Sequence, residues 1–218
     1  MWVLGGFFAV LVLGVVVAAV VVVLASGGCG DDEQASQPTA ATQPPAVENP
    51  VAANPVAGPA VPPVAERDLE AAAAAGGCTL SSPPEEGKQH SPDEADWVYK
   101  SNPPTSGTHA PTWAQDGVYP FGSAPKVGFT THALEHGRIN FQYGPKLTNR
   151  QFDQLQTLMA EDEGYHQLLF KNQTDMPGTL AAAAWTQLLT CPSFNPKVFD
   201  ALRAFKAKYT DKAPEQVP

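Results

Sequence analysis

Residues 2–25 carry no charged or strongly polar side chain, and this run decides how the rest of the chain can be used. About 20 apolar residues suffice for an α-helix to cross the hydrocarbon core of a bilayer, so this end is expected to meet a membrane. Leu24-Ala25-Ser26-Gly27-Gly28-Cys29 also fits a lipoprotein signal, in which small residues precede a cysteine that is lipidated after cleavage. Residues 1–29 are therefore read as a membrane anchor, either an uncleaved transmembrane helix or a lipidated Cys29. Asp31, Asp32 and Glu33 follow at once and sit more easily outside, which places the rest of the chain on the extracytoplasmic side of the cell membrane. Residues 30–65 hold eight prolines among Ala, Gln, Thr and Asn and no aromatic residue. Such a segment cannot bury enough apolar surface to offset the entropy of ordering it, and it is expected to be a disordered, extended tether. The fold must come from what remains: a short helix and linker over 66–77, a globular domain over 78–212, and a tail over 213–218.

The formal charge of −9 argues against a nucleic-acid partner. That charge is uneven, with one basic and seven acidic residues in 1–70 against twelve and fifteen in 71–218, so the folded part is nearly neutral. The hydrophobic fraction of 43% is inflated by the anchor and by alanine, which excludes an all-helical bundle or a large multidomain enzyme. Outside the cytoplasm cysteines tend to pair, and with Cys29 at the membrane, Cys78 and Cys191 remain as one even pair. A disulfide between them would tie the start of the domain to its last helix; two buried thiols and a metal–thiolate pair are the alternatives.

Two helices are well signalled. Thr148-Asn149-Arg150-Gln151 reads as a capping box, followed by Phe152, Leu155, Leu158 and Met159 on one face. Asn195 as cap and Pro196 at the first helical position precede Val198, Phe199, Leu202 and Phe205. A shorter helix is expected over 66–75, stopped by Gly76-Gly77. Residues 127–131, 138–143, 165–170 and 180–189 read as short strands. Taken as lacking helical crossovers, they predict an α+β fold: a small antiparallel sheet with two or three helices packed on one side. Residues 81–125 hold too many Pro and Gly for regular elements.

Four of the five histidines, His90, His109, His132 and His136, fall within the 47 residues from 90 to 136. Neutral imidazole is a common transition-metal ligand, and irregular loops can bring several to one point. Asp93, Glu94, Asp96, Asp116 and Glu135 could add carboxylates. His132-Ala133-Leu134-Glu135-His136 fits the H-x-x-E-H pattern of a zinc peptidase family, but that chemistry needs the motif on a helix, and Phe129-Thr130-Thr131 before it favours a strand. Ser106 lacks the strand–turn–helix setting of a hydrolase nucleophile, so Asn102, Thr105 and Ser106 are read as supports of a rigid Pro-Pro turn that presents His109. His166, in an apolar strand pattern, is read as structural. With few methionines and oxidised cysteines, a bound metal would be Zn(II) or Cu(II) rather than Cu(I). No phosphate-binding loop, dinucleotide fingerprint or C-x-x-C is present.

The order Cys78, Glu86-Gly87 with His90, Ser101-Asn102-Pro103-Pro104-Thr105-Ser106-Gly107 with His109, Gly117 and Tyr119, His132 with Leu134-Glu135-His136-Gly137, Gln142-Tyr143, Ala184-Trp185 and Cys191 closely resembles the bacterial domain of unknown function numbered 3105. The resemblance covers roughly residues 78–210. It implies a membrane-attached extracytoplasmic domain and no particular activity. His90, His109, His132, Glu135, His136 and Tyr143 occupy motif positions, with Tyr143 grouped among the loop supports. Where many relatives read HNLEHG, this chain has Ala133. Three readings follow. The first is a tethered domain with a transition-metal site built from His90, His109, His132 and His136, with Glu135 as ligand or as the group that orients an imidazole. The second is a metal-free structural or interaction module with a protein partner in the cell envelope. The third is a zinc-dependent hydrolase using Glu135.

Overall fold

The computed structural model describes residues 49–215. The anchor, including Cys29, and residues 30–48 of the tether lie outside the described residues. Within the described part, no helix is long and apolar enough to cross a membrane.

Six strands form one sheet: β1 (Thr79–Ser81), β2 (Gly117–Val118), β3 (Ile139–Tyr143), β4 (Gln167–Lys171), β5 (Leu180–Ala184) and β6 (Gln187–Cys191), in the spatial order β1-β6-β5-β3-β4-β2. Four α-helices accompany them: α1 (Leu69–Gly76), α2 (Val127–Glu135), α3 (Asn149–Met159) and α4 (Val198–Tyr209). The class is α+β as expected, but the sheet is mixed and not antiparallel. β4 runs parallel to both β3 and β2, while β3–β5, β5–β6 and β1–β6 are antiparallel. The reason is α3, which lies between β3 and β4 in the chain. Parallel neighbours need a crossover of this kind, and the capping box that predicts α3 also implied the parallel pair. The expected strand over 180–189 is a hairpin, β5 and β6, turned at Trp185-Thr186.

The period-two alternation of the central strands separates two faces. Ile139, Phe141, Tyr143, Leu169, Leu180, Ala182, Leu189 and Cys191 point to one side, where they meet Leu69 and Ala72 of α1, Leu155, Leu158 and Met159 of α3, and Phe199, Leu202 and Phe205 of α4. Their neighbours Leu168, Phe170, Ala181, Ala183 and Leu188 point to the other side, where Ala133 and Leu134 of α2, Tyr119 and Trp185 cover them. Helices therefore pack on both faces, not one. The second face is thinner in helix and is covered largely by the proline-rich segment over 81–125.

Local signals account for the helix ends. Asp68 caps α1 by accepting from Ala71 N at 2.9 Å, and Gly77 closes it with φ +69. Thr148 and Gln151 form the capping box of α3. The cap of α4 sits slightly upstream of the helix, with Asn195 Oδ1 accepting from Lys197 N at 3.0 Å.

Residues 49–65, expected as the end of the tether, lie along the domain. Ala53 forms an antiparallel bridge with Val118, close enough that a Cβ on Gly117 (φ +126) would fall 2.5 Å from Ala53 O. Further on, Thr157 accepts from Gly58 N at 2.8 Å and Arg203 donates to Pro62 O at 2.9 Å.

Cys78 and Cys191 are joined as a disulfide across 113 positions of sequence, pinning the start of β1 to the end of β6. Neither free thiols nor a metal–thiolate pair applies. A cross-link closing so long a loop is worth on the order of 4 kcal/mol through the unfolded chain. Reduction is therefore expected to lower the melting temperature by roughly 10 °C. Thermal unfolding with and without reductant checks this, and coincident curves would contradict it.

Candidate metal centre

α2 was expected to be a strand over 127–131, and its helical form is the main local departure from the sequence reading. β-branched residues disfavour a helix by only a few tenths of a kcal/mol each, and tertiary packing overrides that. The hydroxyls of Thr130 and Thr131 both donate to Val127 O, at 2.9 and 3.0 Å, which satisfies them within the helix. Gly128 has no Cβ, and the Trp97 ring lies where one would be, 2.5 Å from that position. At the other end Gly137 (φ +79) sits past the helix, with Gly137 N donating to Leu134 O and Arg138 N to Ala133 O. This pair of bonds is a Schellman stop. The H-x-x-E-H stretch is thus on a helix after all, in its last turn, with His136 as the C-cap.

His90 and His109 come from the irregular segment. Their backbones form a parallel bridge, His109 N donating to Gln89 O at 2.9 Å and Ser91 N to His109 O at 2.8 Å, so the two rings stand side by side. The loop is held by side chains. Glu86 accepts from Lys100 N and Ser101 N, Ser106 Oγ accepts from Glu86 N at 2.8 Å, and Tyr99 donates to Thr108 O at 2.9 Å. Thr105 N donates to Ser101 Oγ at 3.2 Å, and Asn102 exchanges bonds with Thr174 at 2.7 Å. Trp97 donates to Ser91 O at 3.0 Å, tying the His90 strand to α2. Tyr143 is on the opposite face of β3, where its hydroxyl accepts from Gly122 N at 2.8 Å, well away from the histidines in the fold.

These elements bring His90, His109, His132 and Glu135 together: one ligand atom from each lies within 4.8 Å of all the others. Glu135 Oε2 is 3.0 Å from His109 Nε2 and 3.2 Å from His90 Nε2. His109, His132 and Glu135 are buried, whereas the His90 side chain is 42% exposed and opens the cluster to solvent. His136 is buried beside the group but outside it, its Nε2 at 2.9 Å from His132 Nε2 and 3.4 Å from Glu215 Oε2. Trp113 covers the His132 and His136 rings at centroid distances of 5.6 and 4.7 Å.

The other expected carboxylates are elsewhere. Asp93 caps a short turn through Ala95 N, Asp96 accepts from Ser91, Glu94 pairs with Lys126, and Asp116 pairs with Arg138. His166 lies in the turn before β4, bonded through Nδ1 to Asp211 at 2.6 Å. Glu215 is the residue that sequence reasoning missed. It lies in what reads as a polar tail, with no motif around it.

Hydrogen bonding fixes the tautomers that matter. His109 Nδ1 is 2.7 Å from Gly107 O and His132 Nδ1 is 2.6 Å from Ala110 O. A carbonyl can only accept, so both Nδ1 atoms carry a proton, and Nε2 of each ring is turned to the cluster. In His109 that atom faces a buried carboxylate oxygen at 3.0 Å. At that distance either a proton shared between the ring and the carboxylate or a bound cation lies between them. Burial pushes the pKa of His132 down to about 4, against the raising effect of the Ala110 bond and together with the neighbouring imidazoles. Burial lowers that of His136 too, with Glu215 opposing and Arg138 reinforcing. A proton is thus poorly placed to serve at His132. The four residues could hold a metal ion. With metal–nitrogen bonds of ~2.1 Å, ligand atoms of a tetrahedral site stand about 3.4 Å apart, somewhat beyond the 3.2 and 3.0 Å from Glu135 to His90 and His109. The solvent-facing His90 can adjust without disturbing the core.

Fold and site together define an α+β domain with a buried histidine–carboxylate centre open at one edge. The chain belongs to a family described as protein of unknown function, DUF3105, which matches residues 90–218 and so spans every candidate ligand, Glu215 included. No curated protein and no solved structure matches the chain.

Gly128→Ala is expected to cost about 1–3 kcal/mol, because the added methyl must displace the Trp97 ring. Denaturant unfolding checks it, and an unchanged midpoint would show that Trp97 moves freely. For the metal-free protein, the unfolded chain takes up a proton on histidine near pH 6.5, whereas folded His132 waits until about 4. Between these values the unfolded state binds more protons, so stability rises with pH. This contribution is complete above about pH 6.5 and lost as pH falls towards 4. Melting curves in chelator should already decline between roughly pH 6.5 and 5, above the ordinary carboxylate range; a flat profile there would contradict the buried neutral state.

Proposed function

We propose that this chain is a membrane-tethered, extracytoplasmic metal-binding domain that holds Zn(II) or Cu(II) through His90, His109, His132 and Glu135. The observation that carries this reading is the pair of buried Nε2 atoms, turned to the cluster by the Nδ1 bonds to Gly107 O and Ala110 O, beside a buried carboxylate. Three imidazoles and one carboxylate are a borderline donor set suited to these ions. Soft donors are absent from the cluster: Met159 and Met176 are in apolar cores, and Cys78 and Cys191 are bonded to each other. The disulfide supports an oxidising compartment, and the apolar run over 2–25 supports attachment to the membrane, with the domain outside.

A zinc hydrolase with Glu135 as base is less well supported. The base of such a site faces a metal-bound water, whereas Glu135 Oε2 lies against two ligating imidazoles. His136, the second histidine of the motif, stands outside the four-residue group.

The full chain, purified in detergent and stripped of metal, should gain stability with Zn(II), by about 2.7 kcal/mol at a hundredfold excess over Kd. His90→Ala, at an exposed position, should leave the metal-free melting temperature nearly unchanged and weaken Zn(II) binding at least about tenfold, as loss of a ligand does. Absence of any metal-induced shift in the unsubstituted chain would refute the reading. Loss of stability in His90→Ala with and without metal alike would favour the metal-free structural module.

A further inference from the structure

Glu135 takes part in a second grouping. Its carboxylate, the His136 ring and Glu215 each offer a ligand atom within 4.8 Å of the other two. Resting on the metal reading above, we propose that the centre is binuclear. A second divalent cation binds between His136 and Glu215, and Glu135 bridges it to the ion held by His90, His109 and His132.

The tail is built onto the site. Asp211 N donates to Gly137 O at 3.0 Å and Glu215 N to Glu135 O at 3.1 Å, so the backbone of Glu215 is bonded to that of the bridging residue. Between them Ala213 packs against the cluster of Leu134 and Trp185. The side chain of Glu215 is half exposed, which gives an ion a path from solvent.

His136 lacks a complete set of partners. Its Nδ1 is buried without a hydrogen bond, and its Nε2 has one good partner, His132 Nε2 at 2.9 Å. His132 can serve there only as an acceptor, because its own proton is on Nδ1. When the first ion takes that lone pair, His136 loses its partner. What remains is Glu215 Oε2 at 3.4 Å, longer than an ordinary hydrogen bond. A cation between Nε2 and Glu215, also touching Glu135, would give Nε2 a partner and stand between two neighbouring carboxylates. Arg138 is close, but its guanidinium already binds Asp116 and His136 O, at 3.2 and 3.1 Å. A carboxylate spans the ~3.5–4 Å that separates the ions of two-metal sites.

Zn(II) titration of the metal-free full chain, followed by calorimetry, tests the proposal. Two ions per chain are expected, and Glu215→Gln, a change on an exposed tail side chain, should reduce this to one while the tighter site is unchanged. One ion in the unsubstituted chain, or two in both proteins, overturns it. One ion leaves the mononuclear reading standing; none removes both. Cu(II) loaded to two equivalents should give an electron paramagnetic resonance spectrum with coupling between the ions. Two uncoupled signals would put the second ion elsewhere and overturn the bridge.

Discussion

Two backbone carbonyls decide what the histidine cluster can be. Gly107 O and Ala110 O hold the Nδ1 protons of His109 and His132, and everything on the other side of those rings follows from that. With its Nδ1 proton committed to Gly107 O, His109 meets Glu135 through Nε2 alone. Burial makes the charged ring expensive, which is the direction seen at His132. With Nδ1 held, Nε2 of each ring is turned to the cluster, where that of His109 meets Glu135 and that of His132 meets His136. Both carbonyls belong to the His109 segment, so the orientation of an imidazole on α2 depends on a loop far from it in sequence.

The orientation of both rings therefore depends on how that loop is held. Residues 81–125 have almost no ladder hydrogen bonds to hold them, and side chains take over. Glu86 and Tyr99 bind backbone groups that a sheet or helix would otherwise have satisfied, and Trp97 reaches from the surface of α2 to Ser91 O. The sheet divides the labour between its faces. One carries the larger apolar core with α1, α3 and α4, while the other carries small residues such as Ala181 and Ala183 and polar ones such as Asn140, whose amide donates to Thr130 O of α2 at 2.9 Å. The cross-link from Cys78 to Cys191 strengthens the first face and leaves the second free to be irregular.

Much of the framework was legible because its signals are local. The capping box of α3, the Gly77 stop of α1 and the apolar stripe of α4 depend on residues a few positions apart, and each element formed near where it was expected. The cysteine pair was legible by elimination. Three features were not. Val127, Thr130 and Thr131 carry β propensity, and only the Trp97 ring over Gly128 and the stop at Gly137 make their helix; both contacts are tertiary or easily read as a turn. The parallel β3–β4 pair follows from a crossover that the sequence did contain. Glu215 had no local signal, since its place beside His136 depends on the tail folding back along α2. The histidines showed the reverse pattern. Their crowding in the sequence pointed to the cluster, but the division into His90, His109 and His132 on one hand and His136 on the other needed coordinates.

The position of the cluster on α2 adds a further electrostatic bias. His132, Glu135 and His136 occupy the last turn and cap of a nine-residue helix, the end that carries the negative partial charge of the aligned peptides. Its Schellman bonds satisfy the final carbonyls without removing their dipoles, which still point towards the centre. Such an end favours a cation by about 0.3–1 kcal/mol when exposed and more when partly buried, as here. The helix end and the carboxylate of Glu135 have the same sign, and Arg138 offsets part of it by donating to His136 O at 3.1 Å. His136 itself is incompletely bonded at that end: its Nε2 donates to His132 Nε2 at 2.9 Å, and its buried Nδ1 has no hydrogen-bond partner.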